Sequence, residues 1–317
     1  MSAALIVNPK SGGGNRKGVE LAQMLRGTNS IVRVLTDFTS LAPVMDELGA
    51  SSVTDIFVSS GDGTIQAIQT MIAENRRFAC PPRLCLLPHG TTNMTAADLG
   101  FRRKRLADQA AFIENLQPRE LRERPTLRVA NPGDGRVRHG MFLGTGAVWQ
   151  GTRFTQDTVH AKGLKGNTLG PLATLAGVAA KSLFSKSVPG DDSRIDRPHW
   201  MRVTQGGTVH ADGEKLMLIA STLQKLVIGA RPFWGGAVGP LRASIFPYPM
   251  PNLARWMMPM MYGGESRKAP AGAASFSGTG FEIETRTPFV IDGEYFDPPE
   301  GQALRVEAGP VFTYIVA

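Results

Sequence analysis

Apolar residues in the first third of the chain come in short unbroken runs, each closed by a turn-forming cluster and followed by apolar positions at helical spacing. Ala4 to Val7 has the character of a buried strand and opens directly into Asn8-Pro9-Lys10-Ser11-Gly12-Gly13-Gly14, behind which Val19, Ala22 and Leu25 share one helical face. Ile31 to Leu35 alternates as a half-buried strand does, and Thr36, Thr39 and Ser40 offer caps for a helix through Leu48. Ile56-Phe57-Val58 stops at Ser59-Ser60-Gly61-Asp62-Gly63-Thr64, and Ile65, Ile68 and Ile72 then mark a helix beginning close to Thr64. Leu84 to Leu87 repeats the unit and ends in Pro88-His89-Gly90-Thr91-Thr92-Asn93, with a short helix behind it and another from about Arg105 to Leu116. This alternation predicts an α/β domain with a parallel sheet covered on both faces. Ligands of such sheets bind at the carboxyl ends of the strands, where all three glycine-rich turns fall.

After Pro118 to Pro125 the pattern changes to short strands. Thr126–Ala130 and Arg138–Leu143 flank Asn131-Pro132-Gly133-Asp134-Gly135 as a hairpin, and Met201–Thr204 and Thr208–Ala211 flank Gly206-Gly207. Further strands are predicted at Leu216–Thr222, Arg242–Phe246, Phe281–Thr285, Phe289–Ile291, Ala303–Glu307 and Val311–Val316. One helix, about Gly170 to Phe184, interrupts them, and Ser185 to His199 lacks any apolar period and reads as an exposed loop. The expected organisation is an α/β domain over 1–123 and a mostly antiparallel β domain over 124–317, whose last strand can return to the first domain.

Composition narrows this picture modestly. With 317 residues, 42% hydrophobic and 20% charged, the chain is that of an ordinary globular protein large enough for two domains. The net charge of +8 favours anionic partners. No basic run with interleaved aromatics forms a nucleic-acid platform, so no nucleic-acid partner is expected. Cys80 and Cys85 are too few for a disulfide framework and read as plain thiols in a reducing cytoplasm. The N-terminus lacks the pattern of a signal peptide, and no window reaches the apolar length of a membrane span, so a cytoplasmic or peripheral protein is expected.

A glycine-rich turn between strand and helix aims unpaired N–H groups at a ligand, and the helix N-terminus adds a field that favours phosphate. Asp62, a carboxylate within such a turn, suits a phosphate-bound Mg²⁺ or a reacting hydroxyl rather than phosphate itself. None of the turns is a Walker loop. Together with Ile291-Asp292-Gly293-Glu294 near the C-terminus, their order and spacing resemble the diacylglycerol kinase catalytic family, which includes bacterial lipid kinases, sphingosine kinases and ceramide kinases. The resemblance implies a nucleotide domain of the kind shared with NAD kinases and phosphofructokinases, a C-terminal β-sandwich and an active site in the cleft between them. It also implies ATP with Mg²⁺ as donor and a lipid alcohol as acceptor.

Carried over by position, the resemblance gives the ATP phosphates to Asn8, Pro9, Lys10, Ser11 and Gly12 and to Gly61, Asp62, Gly63 and Thr64. Gly90, Thr91 and Asn93 hold phosphate or the nucleoside, and Thr36 lines the nucleotide site. Asp62 positions Mg²⁺ and the acceptor, and Glu294 is the proton acceptor. The chain departs from the family's pattern at Ser60 in place of a glycine, at Gln66-Ala67 in place of Asn-Glu, and at Met94 in place of an aspartate. Val238-Gly239-Pro240-Leu241-Arg242 lacks the carboxylates of a structural metal segment. An NAD kinase shares Gly61-Asp62-Gly63, although Asp292-Gly293-Glu294 in a β-rich domain speaks against it, and a non-catalytic nucleotide-binding regulator is the third reading. Ala254 to Tyr262, with its Trp, Tyr and four Met, fits either a membrane-facing segment or core packing. An anionic membrane surface is the expected peripheral partner. His89 reads as a solvated loop histidine, and His160, Lys162 and Lys165 as a solvated basic face.

Overall fold

The computed structural model describes residues 2–75, 77–90, 93–115, 120–161 (backbone alone from 155), 194–226, 229–250, 255–256, 262–264 and 267–316. The helix expected at 170–184 and most of the loop after it lie outside the described residues. Contacts divide the chain into one unit of Met1–Thr126 with Pro310–Ala317 and another of Leu127–Gly309.

In the first unit β1 (Ala3–Val7), β2 (Ile31–Val34), β3 (Asp55–Ser60), β4 (Arg83–Pro88) and the end of β16 (Leu304–Val316) form a parallel sheet in the order β16–β4–β3–β1–β2. The unbroken apolar runs of β1, β3 and β4 are explained by burial on both faces. Ala4, Ile6, Ile56, Val58, Leu84 and Leu86 pack with Leu41, Met45 and Leu48 of α2 (Leu41–Ala50) and Ile65, Ile68 and Ile72 of α3 (Asp62–Asn75). The alternate positions Leu5, Val7, Phe57, Cys85 and Leu87 pack with Leu21 of α1 (Arg16–Met24) and Ile113 of α5 (Leu106–Glu114). Each fully buried Leu, Ile or Phe stabilises the fold by about 1.5–3 kcal/mol relative to exposure. Gln69 of α3 donates to the buried Tyr314 hydroxyl at 2.8 Å and ties that helix to β16.

Register decides where the turns emerge. Val7 lies opposite Ser59, and Ser59 opposite Leu87, so β1, β3 and β4 end level at one edge of the sheet. Two local expectations change. The helix after β3 begins at Asp62, so Asp62-Gly63-Thr64 is its first turn rather than a loop ahead of it. Ser40 precedes α2 without a side-chain cap bond; Asp37 instead accepts from the Thr39 hydroxyl at 2.6 Å and from the Ser40 N–H at 3.0 Å.

The second unit is antiparallel β. One sheet runs β15 (Glu294–Phe296), β14 (Phe289–Ile291), β7 (Phe142–Gly146), β10 (Glu214–Ser221), β11 (Leu241–Pro247) and β12 (Ala274–Gly278). The other runs β9 (Thr208–Ala211), β8 (His199–Gln205), β13 (Gly280–Thr285), the first half of β16, β5 (Glu120–Val129) and β6 (Arg138–Gly140). Leu143, Leu218, Ala243 and Phe289 from one sheet share a core with Met201, Val203, Phe281 and Val306 from the other, which makes the unit a sandwich. Both predicted hairpins form.

Ala303–Glu307 and Val311–Val316 prove to be one strand, β16. Pro310, which lacks an N–H, falls between the stretch paired with β13 and the residue paired with β4. A helix not foreseen, α6 (Ala147–Ala161), follows β7, and its buried Ala147 joins Ile219 and Phe246 on the second face of that sheet. Trp256 packs partly buried against the same cluster, which favours packing over membrane exposure for this residue.

Candidate active site

The first turn carries three successive glycines of positive φ, Gly12, Gly13 and Gly14 at 60°, 81° and 133°, a succession that side chains oppose. Its shape is held from below by the buried Asn15. The Asn15 amide donates to Asn8 O at 3.2 Å, to Ser59 O at 2.9 Å and to Ser59 Oγ at 2.9 Å, while its oxygen caps α1 through Gly18 N at 2.8 Å. Asn8 Nδ2 donates to Thr64 Oγ1 at 2.9 Å, and Asn8 Oδ1 accepts from Lys10 N at 3.0 Å. The first turn is thereby fastened to the first turn of α3.

The three turns touch. A Cβ placed on Gly61 would lie 2.8 Å from Ser11 Oγ, and one on Gly90 would lie 2.7 Å from Gly61 Cα and 2.9 Å from Ser60 O. Asn93, left-handed at φ 48°, closes the third turn on itself by accepting from Gly90 N at 2.8 Å and donating to Gly90 O at 2.7 Å. The Ser11 and Ser60 hydroxyls are buried without a hydrogen-bond partner among the described residues. Two orphaned hydroxyls beside a helix N-terminus and a glycine-rich turn fit the oxygens of a phosphate. Asp62 stands at the start of α3, where one carboxylate with substrate phosphates suffices for Mg²⁺.

Asn8, Pro9, Lys10, Ser11, Gly12, Gly61, Asp62, Gly63, Thr64, Gly90 and Asn93 therefore sit on adjoining turns at one sheet edge. Thr91 lies outside the described residues, as do Lys162, Lys165 and the side chain of His160. Thr36 is exposed just beyond β2; its neighbour Leu35 donates to Val7 O at 2.8 Å, which places it beside the end of β1. Thr39 and Ser40 hold the Asp37 carboxyl below its ordinary pKa, with a smaller contribution from Lys10 of the first turn. Asn15 and Ser59 were not foreseen as part of this site; the signal available was an Asn three residues ahead of a helical glycine.

His89 is not a solvated loop histidine. It is half-buried with Nδ1 2.8 Å from Ser59 Oγ, and burial, with a smaller contribution from Lys17, lowers its pKa to about 4. At neutral pH it is an uncharged imidazole. Ser59 Oγ thus accepts from the Asn15 amide and also hydrogen-bonds His89 Nδ1.

Gly90→Ala is the diagnostic substitution for the contact between turns. Its methyl group would meet the backbone of the second turn at Ser60 and Gly61, so the second and third turns must separate. The expected outcome is a loss of about 1–3 kcal/mol of stability from overpacking, with weakened nucleotide binding by calorimetry. Unchanged affinity in Gly90→Ala would show that the spacing of these turns does not matter.

In the second unit, Asp292 (φ 48°) and Gly293 (φ 91°) form the two-residue turn of the β14–β15 hairpin. Asp292 is buried and structural: its carboxylate accepts from Met141 N at 2.9 Å and Phe142 N at 3.0 Å, anchoring the start of β7. Glu294 is its opposite. It is exposed by surface area, yet protein atoms crowd one side of its carboxyl, and this desolvation raises its pKa above the usual carboxylate range. Among the described residues it has no hydrogen-bonding or ionic partner for its side chain. An unpartnered carboxylate of raised pKa is equipped to take a proton.

The chain thus joins a parallel α/β unit with touching phosphate-type turns to a β-sandwich unit. Residues 2–122 match the family model of the diacylglycerol kinase catalytic domain. A crystal structure of a diacylglycerol kinase from Bacillus anthracis str. Sterne superposes with a TM-score of 0.63 at 16% identity, covering 100% of this chain and 97% of that one. Two further structures from that organism, provisionally described as diacylglycerol kinases, give TM-scores of 0.65 at 18% and 17% identity with the same coverage. At such identity the likeness establishes the shared fold. No curated protein matches the chain by sequence.

Proposed function

We propose that this protein is an ATP-dependent lipid kinase that transfers the γ-phosphoryl group to the hydroxyl of a lipid alcohol, either diacylglycerol or a sphingoid lipid such as ceramide. The observation that carries this reading is the touching of the three turns, with the orphaned Ser11 and Ser60 hydroxyls, in a stretch that matches the diacylglycerol kinase catalytic domain. Bound Mg·ATP supplies the phosphoryl group and the positive charge that offsets its oxygens. Asn8 to Gly12 and Gly61 to Thr64 hold the phosphates, Gly90, Thr91 and Asn93 hold phosphate or nucleoside, and Thr36 lines the nucleotide site. Asp62 is the residue for Mg²⁺ and for orienting the acceptor. Glu294 accepts the acceptor's hydroxyl proton as the new O–P bond forms and the bond to the β-phosphate oxygen breaks. Positioning and charge neutralisation do most of the catalytic work in so loose a transition state.

An apolar acceptor is in keeping with the second apolar cluster of the β unit, where Phe142, Ile219, Phe233, Trp234 and Phe246 gather. The test is a radiolabelled-ATP assay against diacylglycerol, ceramide, sphingosine and NAD. Labelled lipid is expected, and labelled NAD alone would overturn the reading.

Action from the cytoplasm at an anionic membrane surface belongs to the same proposal. Among the described residues no helix is long and apolar enough to cross a membrane, and the net charge is +8. Each basic residue near an anionic surface contributes up to about 1 kcal/mol, and this attraction fades as the Debye length falls from about 10 Å at 0.1 M salt to about 3 Å at 1 M. Co-sedimentation is expected with anionic vesicles and to weaken with salt. Equal binding to neutral vesicles at every salt concentration would remove the electrostatic attraction.

A further inference from the structure

On the flank of the first unit lies a cavity of about 340 Å³, lined by α1, the segment after β4, α4 (Met94–Leu99), residues 101–104 and α5. Lys17, Arg102, Arg103 and Lys104 surround it, with His89 and Gln109 among its walls. None of these four cations pairs with a carboxylate among the described residues. Arg103 lies 4.5 Å over the Phe112 ring, which steadies its guanidinium without neutralising it. Like charges gathered at one cavity repel each other unless a counter-charge sits among them. A guanidinium presents its donors in a fork that matches phosphate oxygens.

The far wall of the cavity is polar and tied to the first glycine-rich turn. Gln109 is buried at 2% exposure and donates to Arg103 O at 3.0 Å, which holds the basic segment against α5. His89 shares the cavity wall with Gln109, its Nδ1 lies 2.8 Å from Ser59 Oγ, and Ser59 and Asn8 O share the Asn15 amide. A continuous path of side chains thus runs from the cavity to the backbone of the first turn.

We propose that this cavity, which backs onto the third glycine-rich turn through Pro88, His89 and Asn93, is a second phosphate-binding site that takes a phosphate dianion or phosphomonoester beside bound nucleotide and communicates with the first turn through His89, Ser59 and Asn15. The same group could arrive as free phosphate or as the headgroup of a phosphomonoester lipid. The site does not depend on which lipid the kinase phosphorylates.

An anion there would offset the charge of Lys17 and favour the imidazolium form of His89. The group therefore reports occupancy through its own titration, among the facing groups Lys17, Arg102, Arg103, Lys104, Gln109 and Ser59. The experiment uses the full chain. Inorganic phosphate is titrated by calorimetry with and without saturating ATP, and His89 is followed by NMR across pH. Phosphate is expected to bind in the presence of ATP and to move the His89 pKa upward from about 4.

Arg102→Gln with Lys104→Gln, and separately Lys17→Met, change exposed side chains, so folding is expected to persist by circular dichroism. Each should weaken phosphate binding by about tenfold or more, the loss of at least one charge-assisted contact. Displacement of phosphate by ATP, a His89 pKa that ignores phosphate, or unchanged binding in the folded variants would each overturn the proposal. Soluble dihexanoyl phosphatidic acid serves as the second probe. Tighter binding than inorganic phosphate assigns the site to a lipid headgroup, and equal binding assigns it to free phosphate.

Discussion

Glu294→Gln is expected to lower lipid phosphorylation by about 10²–10⁴-fold, the usual contribution of a general base, with the thermal midpoint at or slightly above that of the parent protein. Both halves follow from the carboxyl's surroundings. Desolvation raises its pKa, so the folded chain holds the carboxyl proton more tightly than the unfolded chain does. A carboxyl whose folded pKa is raised favours the folded state at low pH, and that contribution is lost as pH rises through the folded pKa. At neutral pH, removing the charge therefore costs the fold nothing.

The pH–rate profile provides the second reading. A base must be ionised, so activity should fall as pH drops through a value above the ordinary glutamate range. That limb should vanish in Glu294→Gln. Parental turnover in the folded variant would remove Glu294 from the mechanism. A lost thermal midpoint would instead give Glu294 the structural role that Asp292 has at Met141 and Phe142.

Asp62→Asn is expected to lower turnover by at least about a hundredfold, because each 1.4 kcal/mol of transition-state stabilisation is a factor of ten and a metal clamp supplies several kcal/mol. The loss should be specific to the metal-dependent part of nucleotide binding. Asp62 opens α3, so the charge also favours the helix N-terminus, by about 0.3–1 kcal/mol. The fold is expected to tolerate that loss, since α3 is held through buried Ile65, Ile68 and Ile72. Calorimetry of ATP with Mg²⁺ and with EDTA separates the contributions. The parent protein should bind more tightly with Mg²⁺, and the variant should lose most of the difference. An undiminished Mg²⁺ effect in Asp62→Asn would place the metal elsewhere.

Much of the α/β unit was legible because burial on both faces leaves an unbroken apolar run. Ala4 to Val7, Ile56 to Val58 and Leu84 to Leu87 are such runs and became the three adjacent strands of the site. The glycine-rich turns were legible for a related reason: nothing but a backbone needing close approach or positive φ explains Gly12-Gly13-Gly14 after a strand. α6 was not legible. Gly151 and Thr152 lower its intrinsic helix propensity, and burial of Ala147 and Gly151 in the second unit compensates. β16 was read as two strands because Gly309-Pro310 is a local stop signal, yet pairing on either side of the proline carries the strand through.

Periodicity and turn chemistry are local properties, so the class of each unit, the candidate phosphate-holding turns and the candidate carboxylates are legible along the chain. What those residues meet is set by packing between distant segments. Such packing puts Ser11, Gly61 and Gly90 in contact. It makes His89 a neutral member of a buried path to Asn15, where the chain alone indicated a solvated ring. Packing also divides Asp292 from Glu294, two carboxylates two residues apart, into an anchor with both oxygens bound and a candidate base with no partner among the described residues. Desolvation and hydrogen-bond partners come from residues distant in the chain, Ser59 with His89 and Met141 with Asp292, and no local pattern encodes them.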